Sequence, residues 1–170
     1  MDHLWAPWRL AYVAAPKEKP TPPASGEECF LCRGVSGKTP EEDRVNLLVH
    51  RTELSVVVLN RFPYNNGHLL VMPRAHKARL DELTTDELLD NQLTIRKMIG
   101  VLEKRMKPDG FNVGVNLGYA AGAGVPGHLH WHVVPRWAGD SNFMTTVSDV
   151  RVLSQSLEAL YDLLTEELRV

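Results

Sequence analysis

Apolar and β-branched residues gather into short runs at 45–50, 54–59, 68–72, 111–116 and 129–134, each bounded by turn residues such as Asn65-Asn66-Gly67. Five short strands are predicted. Between the third and fourth runs the period changes. After Thr84-Thr85-Asp86-Glu87, a capping-box sequence, Leu88, Leu89, Ile95, Met98, Ile99, Leu102 and Met106 recur at helical spacing until Pro108-Asp109-Gly110. This pattern predicts a long amphipathic helix. A second stripe of Val152, Leu153, Leu157, Leu160, Tyr161, Leu164 and Leu168 predicts a C-terminal helix. Helices bunched between and after strands imply an α+β fold and not a regular βαβ alternation. Ahead of all this, Trp5, Trp8 and Tyr12 make an aromatic segment, and Pro16, Pro20, Pro22 and Pro23 mark an irregular connector. The expected division is residues 1–28 as segment and connector, and 29–170 as the folded domain.

Composition adds mostly exclusions. A chain of 170 residues supports one domain with a proper core, and 44% hydrophobic with 24% charged residues is ordinary for a globular protein. A net charge of -2 gives no reason to expect a nucleic-acid partner. No apolar run reaches membrane-spanning length and the N-terminus lacks a signal-peptide pattern, so no membrane partner and a cytoplasmic location are expected. In that reducing compartment Cys29-Phe30-Leu31-Cys32 points to metal binding or redox chemistry more than to a disulfide. Structural zinc takes four nitrogen or sulfur ligands, of which these cysteines supply two, so histidines would have to complete the set.

The densest chemistry lies in Gly127-His128-Leu129-His130-Trp131-His132-Val133-Val134. In an extended chain, alternate side chains share a face, so His128, His130 and His132 line one surface and Leu129, Trp131 and Val133 the other. Imidazole titrates near neutrality, and a row of three can supply a nucleophile, proton donors and metal ligands. An enzyme is the reading favoured here. The solvated face of a half-buried strand and a simple metal-chelating strand are the alternatives. Just upstream, Gly118, Gly122, Gly124 and Gly127 surround Pro126 in a loop whose main-chain N–H groups can approach phosphate oxygens.

His128-Leu129-His130-Trp131-His132-Val133-Val134 resembles the signature of the histidine triad (HIT) superfamily, whose members bind nucleotides and cleave or transfer at the α-phosphate. Two further motifs resemble the family in the same order along the chain. Cys29-Phe30-Leu31-Cys32 is similar to its N-terminal Cys-x-x-Cys, and Asn66-Gly67-His68-Leu69-Leu70-Val71-Met72-Pro73-Arg74-Ala75-His76 to its glycine-histidine strand and proline-x-x-histidine turn. Leu4-Trp5-Ala6-Pro7-Trp8-Arg9 and Phe111-Asn112-Val113-Gly114-Val115-Asn116-Leu117-Gly118 are similar to the bacterial branch that includes diadenosine tetraphosphate phosphorylases, also called ATP adenylyltransferases. The matches run over residues 4–142.

The resemblance implies a five-stranded antiparallel sheet with a long and a C-terminal helix, and a homodimer to which Trp137 could contribute. It implies His130 as nucleophile, attacking phosphorus as a neutral imidazole to give a covalent nucleotidyl-histidine. His132 would bond a phosphate or bridging oxygen, and His68 would orient the cluster. Asn60 would meet the ribose and Asn116 a phosphate of an adenine nucleotide, although Asn60-Arg61-Phe62-Pro63 also suits turn chemistry. Main chain at Gly124 and Gly127 would approach phosphate. Cys29, Cys32, His76 and His128 would hold a structural zinc ion. The implied reaction is nucleotidyl transfer from a dinucleoside polyphosphate to phosphate or water. A purine-nucleotide phosphoramidase and a non-catalytic nucleotide- or zinc-binding module are the alternatives. One departure stands out: where many family members carry a serine or threonine before the triad, this chain has Ala123-Gly124-Val125-Pro126-Gly127, with no hydroxyl.

Overall fold

The computed structural model describes residues 29–37, 39–141 and 152–169. The aromatic segment and proline-rich connector, with Trp5 and Trp8, lie outside the described residues. Strands β1 (Leu48–Arg51), β2 (Ser55–Leu59), β3 (Leu69–Pro73), β4 (Gly110–Val115) and β5 (Trp131–Arg136) form one antiparallel sheet in the order β1-β2-β3-β5-β4. The α+β expectation holds. The chain leaves β3, crosses one sheet face through a 22-residue helix, Thr85–Met106, and lays down β4 one place away from β3. The last strand then returns into the gap. The triad strand is therefore interior and lies directly against β3.

The runs of β2 and β3 are buried at every position, because both sheet faces are covered. On one face Val57, Leu59, Leu69, Val71, Leu129, Trp131 and Val133 pack against Ile95, Met98 and Leu102 of the long helix and Leu160, Tyr161 and Leu164 of the C-terminal helix. Alternation sends Leu48, Val56, Val58, Leu70 and Met72 to the other face, beneath Cys29 and Leu31. Trp131 belongs to the first core, which decides its role as packing.

Among the described residues four α-helices frame the sheet: α1 (Phe30–Val35), α2 (Pro40–Val45), α3 (Thr85–Met106) and α4 (Leu157–Leu168). Helix α3 starts where the sequence predicts, with Thr84 and Glu87 exchanging both capping-box bonds, and it stops at Lys107 in a left-handed conformation before Pro108. Its buried stripe is narrower than predicted: Leu88 and Leu89 are exposed, and Ile95, Met98 and Leu102 carry the contact. The predicted first strand begins late, because Thr39 and Glu42 cap α2 and Val45 ends that helix, 70% exposed. Helix α4 begins at Leu157 behind a Ser156 cap, which leaves Val152 and Leu153 on the surface and outside the helix. Among the described residues no helix is long and apolar enough to cross a membrane.

Candidate active site and metal centre

The β3–β5 register sets Leu70 opposite His132, so the histidine face of β5 shares its side of the sheet with β3 residues of the smaller core. His128 and His130 precede the strand proper but keep the alternation. Leu129 N–H donates to the Lys77 carbonyl at 2.6 Å, pinning this approach segment beside the turn that carries His76. His68, His128 and His130 are 1%, 0% and 6% exposed, so their polar atoms must find partners inside the protein.

Those partners settle the proton positions. A carbonyl oxygen only accepts, so the 2.7 Å contact between His130 Nδ1 and the His128 carbonyl places the proton on Nδ1 and leaves the Nε2 lone pair available. His68 Nδ1 receives the Tyr64 N–H at 3.0 Å and the Asn60 amide at 3.3 Å, so it accepts and its proton sits on Nε2. That Nε2–H donates to His132 Nδ1 at 2.9 Å, which leaves the His132 proton on Nε2. The Asn116 amide lies 3.4 Å from His132 Nε2 and presents its oxygen to that N–H in one of its two orientations.

Burial lowers the pKa of all these rings, because a charged imidazole loses its hydration there. His132 falls to about 4, by burial first and then by the neighbouring His130. His68 falls to about 3, by burial first and then by His132 and His130. For His130 the hydrogen bond to the His128 carbonyl works against burial without reversing it. The cluster is neutral at neutral pH. A neutral imidazole with one nitrogen anchored and the other bare can attack an electrophile, and a neighbouring N–H can stabilise the charge that leaves.

A second group sits on the far side of His128. Cys32 Sγ lies 3.2 Å from His76 Nδ1 and 3.3 Å from His128 Nδ1, and Cys29 Sγ lies 3.7 Å from His128 Nδ1. A tetrahedral ion with bonds of about 2.0–2.3 Å has ligand–ligand edges of roughly 3.3–3.8 Å. The four side chains offer ligand atoms all within 4.8 Å of one another, so donor set and spacing are compatible with metal coordination. The His128 Nε2–H donates to the Pro73 carbonyl at 2.9 Å, which turns the Nδ1 lone pair toward the sulfurs. Burial, followed by the charge on Cys29, pushes the Cys32 thiol up to about 11, a penalty that a bound cation would reverse. His128 joins the two groups, since its ring faces the sulfurs and its carbonyl holds His130.

The structure thus brings His68, His130, His132, Asn60 and Asn116 into one cluster, and Cys29, Cys32, His76 and His128 into another. Asn60 also does turn work, its Oδ1 accepting the Phe62 N–H at 3.0 Å. In the loop between β4 and β5, Gly127 is buried and Gly124 exposed. The left-handed glycines there are Gly118 and Gly122. Ala123 is buried within this loop, and the stretch from it to Gly127 carries no side-chain hydroxyl. Two participants escaped the sequence reading: Tyr64, whose ring and N–H both touch the cluster, and the Pro73 carbonyl, for which no side-chain signal exists.

Comparison with known proteins agrees with this geometry. The family model described as HIT domain matches residues 42–139. The chain is 38% identical over 167 residues to the AP-4-A phosphorylase of Mycobacterium tuberculosis (strain ATCC 25618 / H37Rv), covering 98% of this chain and 84% of that protein. The crystal structure of a Zn-bound histidine triad family protein from Mycobacterium smegmatis superposes with a TM-score of 0.67 at 27% identity, covering 85% of this chain and 96% of that one. Plasmodium falciparum diadenosine triphosphate hydrolase shares the fold, with a TM-score of 0.60 at 21% identity over 72% of this chain and 76% of that one. The chain therefore belongs to the histidine triad (HIT) superfamily, where it is similar to the bacterial AP-4-A phosphorylase branch.

Proposed function

We propose that this protein is a nucleotidyl transferase that opens a dinucleoside polyphosphate at its α-phosphate through a nucleotidyl-His130 intermediate, with inorganic phosphate as acceptor. The observation that carries this reading is the His130 imidazole, neutral and tied by Nδ1–H to the His128 carbonyl, with no partner at Nε2 among the described residues. In the first displacement Nε2 forms a bond to the α-phosphorus. The bond to the leaving polyphosphate breaks, its electron pair staying on the departing oxygen beside the His132 Nε2–H. In the second, a phosphate oxygen bonds the α-phosphorus and the phosphorus–nitrogen pair returns to His130. Diadenosine tetraphosphate would give ATP in the first step and ADP in the second; water as acceptor would give AMP.

The other residues have supporting tasks in this scheme. Asn60 and Asn116 offer uncharged hydrogen bonds to ribose and phosphate, which avoids adding anionic charge near the substrate. Main chain at Gly124 and Gly127 borders the phosphates. The stretch Ala123–Gly127, without a hydroxyl just before the triad, favours a polyphosphate leaving group over an amine, because a polyphosphate oxygen departs without full protonation. Zinc held by Cys29, Cys32, His76 and His128 would be structural, tying the N-terminal segment to the sheet and fixing the carbonyl that anchors His130. The Zn-bound M. smegmatis relative supports that choice of ion. A homodimer is proposed as well, with β4 as the outer strand of the sheet among the described residues, where Val113 is 45% exposed.

The test is product analysis of diadenosine tetraphosphate with and without inorganic phosphate, beside adenosine phosphoramidate. ADP formation that requires phosphate is the expected result. Labelled nucleotide should stay on the parent after acid-free denaturation and be absent from His130→Ala, which should still bind nucleotide. Unchanged turnover in His130→Ala would reject the covalent route, and a non-catalytic module would release all label from the parent too.

A further inference from the structure

His132 meets His68 at Nδ1 and the Asn116 amide, 3.4 Å away, at Nε2. Contacts at the two nitrogens leave the ring plane free to tilt about the line joining them, and the direction of Nε2–H depends on that plane. The missing constraint comes from the loop joining β2 and β3. Its ends are tied by the Asn60 N–H to the His68 carbonyl at 3.0 Å, and within it His68 N–H donates to the Asn65 carbonyl at 3.2 Å. The loop folds back over its own terminal histidine. Tyr64 lies at its inner side, with its ring centroid 5.4 Å from that of His132 at an interplanar angle of 18°, a stacked pair. The same ring meets His68 at 4.7 Å and 41°. His130 sits 5.1 Å from His132 with ring planes at 65°. His132 is thereby packed against a stacked tyrosine face and the steeply tilted ring of His130.

We infer that Tyr64 is a positioning residue for His132, its ring fixing the imidazole plane while its main-chain N–H sets the tautomer of His68 and, through it, that of His132. This rests on the nucleotidyl-transfer reading above and adds to it which residue aims the hydrogen bond at the leaving oxygen. The burden on that donor is heavy in this chain. The residues from Ala123 to Gly127 carry no side-chain hydroxyl, so that stretch offers His132 Nε2–H no hydroxyl partner in stabilising the leaving group. Half of Tyr64 remains exposed, so its ring can be replaced with little loss of core packing.

Tyr64→Leu keeps the main-chain N–H and removes the ring; Tyr64→Phe keeps both. The probes are the p-nitrophenyl and phenyl esters of AMP, whose leaving oxygens differ in basicity, the phenyl ester depending more on a well-aimed donor. In Tyr64→Leu the ratio of phenyl to p-nitrophenyl ester kcat should fall by about 3- to 10-fold, the range of an aromatic pair, with KM little changed. Tyr64→Phe should stay within about twofold of the parent ratio. Equal slowing of both esters, a change confined to KM, or the same loss in Tyr64→Phe would overturn the inference. If the parent cleaves neither ester, the nucleotidyl-transfer reading fails instead. The side-chain nitrogen signals of His132 by NMR then decide the positioning role alone. In Tyr64→Leu the tautomer should stay as in the parent, because the main-chain N–H at position 64 still donates, while the His132 signals broaden by exchange between ring orientations; signals as sharp as the parent's would refute the inference.

Discussion

Substituting Gly67 by alanine should cost this fold about 2 kcal/mol, although it adds only one methyl group. The glycine closes the turn ahead of β3 with φ +75, in the left-handed region where a Cβ costs roughly 1–2 kcal/mol. A Cβ built there meets Met106 Sδ at 2.9 Å, Met106 Cε at 3.0 Å and Pro135 Cγ at 3.3 Å. The methionine end can swing away, which places the overpacking near the lower limit of about 1–3 kcal/mol. A stiffer unfolded chain returns about 0.4–1 kcal/mol, so the two penalties win. The assay is urea unfolding of the parent, Gly67→Ala, Met106→Ala and the double variant. In the Met106→Ala background the cost of Gly67→Ala should drop to the backbone share of about 1 kcal/mol. A Gly67→Ala protein within about 0.5 kcal/mol of the parent, or an equal cost with and without Met106, would refute the reasoning. The next residue is His68, so the same variant should also lose turnover.

Two further outcomes are expected. Against an ordinary histidine value of 6.5, folding lowers His132 to about 4 and His68 to about 3, so the unfolded chain binds protons that the folded one refuses. Their contribution to stability is complete above pH 6.5 and is lost as pH falls through about 4 and then about 3. Urea unfolding across that window should show a shallower loss in His132→Asn than in the parent; parallel curves would contradict the assignment. Elemental analysis should find zinc in the parent and a sharp loss in Cys29→Ser, together with lower thermal stability. Equal metal content in the two proteins would remove the proposed centre.

Much of the architecture was legible from local pattern. Helix α3 announces both of its ends, in Thr84 with Glu87 and in Lys107 before Pro108, because a helix terminus is satisfied by residues within one turn of it. The alternation in β5 assigns Leu129, Trp131 and Val133 to the core and the histidines to the opposite side, since a strand's period needs only its own backbone. Where prediction slipped, a competing local signal was present and outranked: the Thr39-Glu42 cap claimed Val45 for a helix, and Ser156 delayed the start of α4. Leu88 and Leu89 share the period of α3 but stay exposed, and periodicity does not show where a covering surface stops.

The sequence by itself determined the element types, the side on which the histidines lie, and the residue kinds available for chemistry. Tertiary structure alone decided that β5 enters between β3 and β4, which sets His68 against His132 across 64 positions of chain and Cys29 against His128 across 99. It also decided which nitrogen of each imidazole carries the proton, through the carbonyls of Pro73 and His128 and the N–H of Tyr64. The reason is one of range. Periodicity and capping are settled between neighbours in the chain, whereas a tautomer is chosen by whichever donor or acceptor the folded chain carries to the ring.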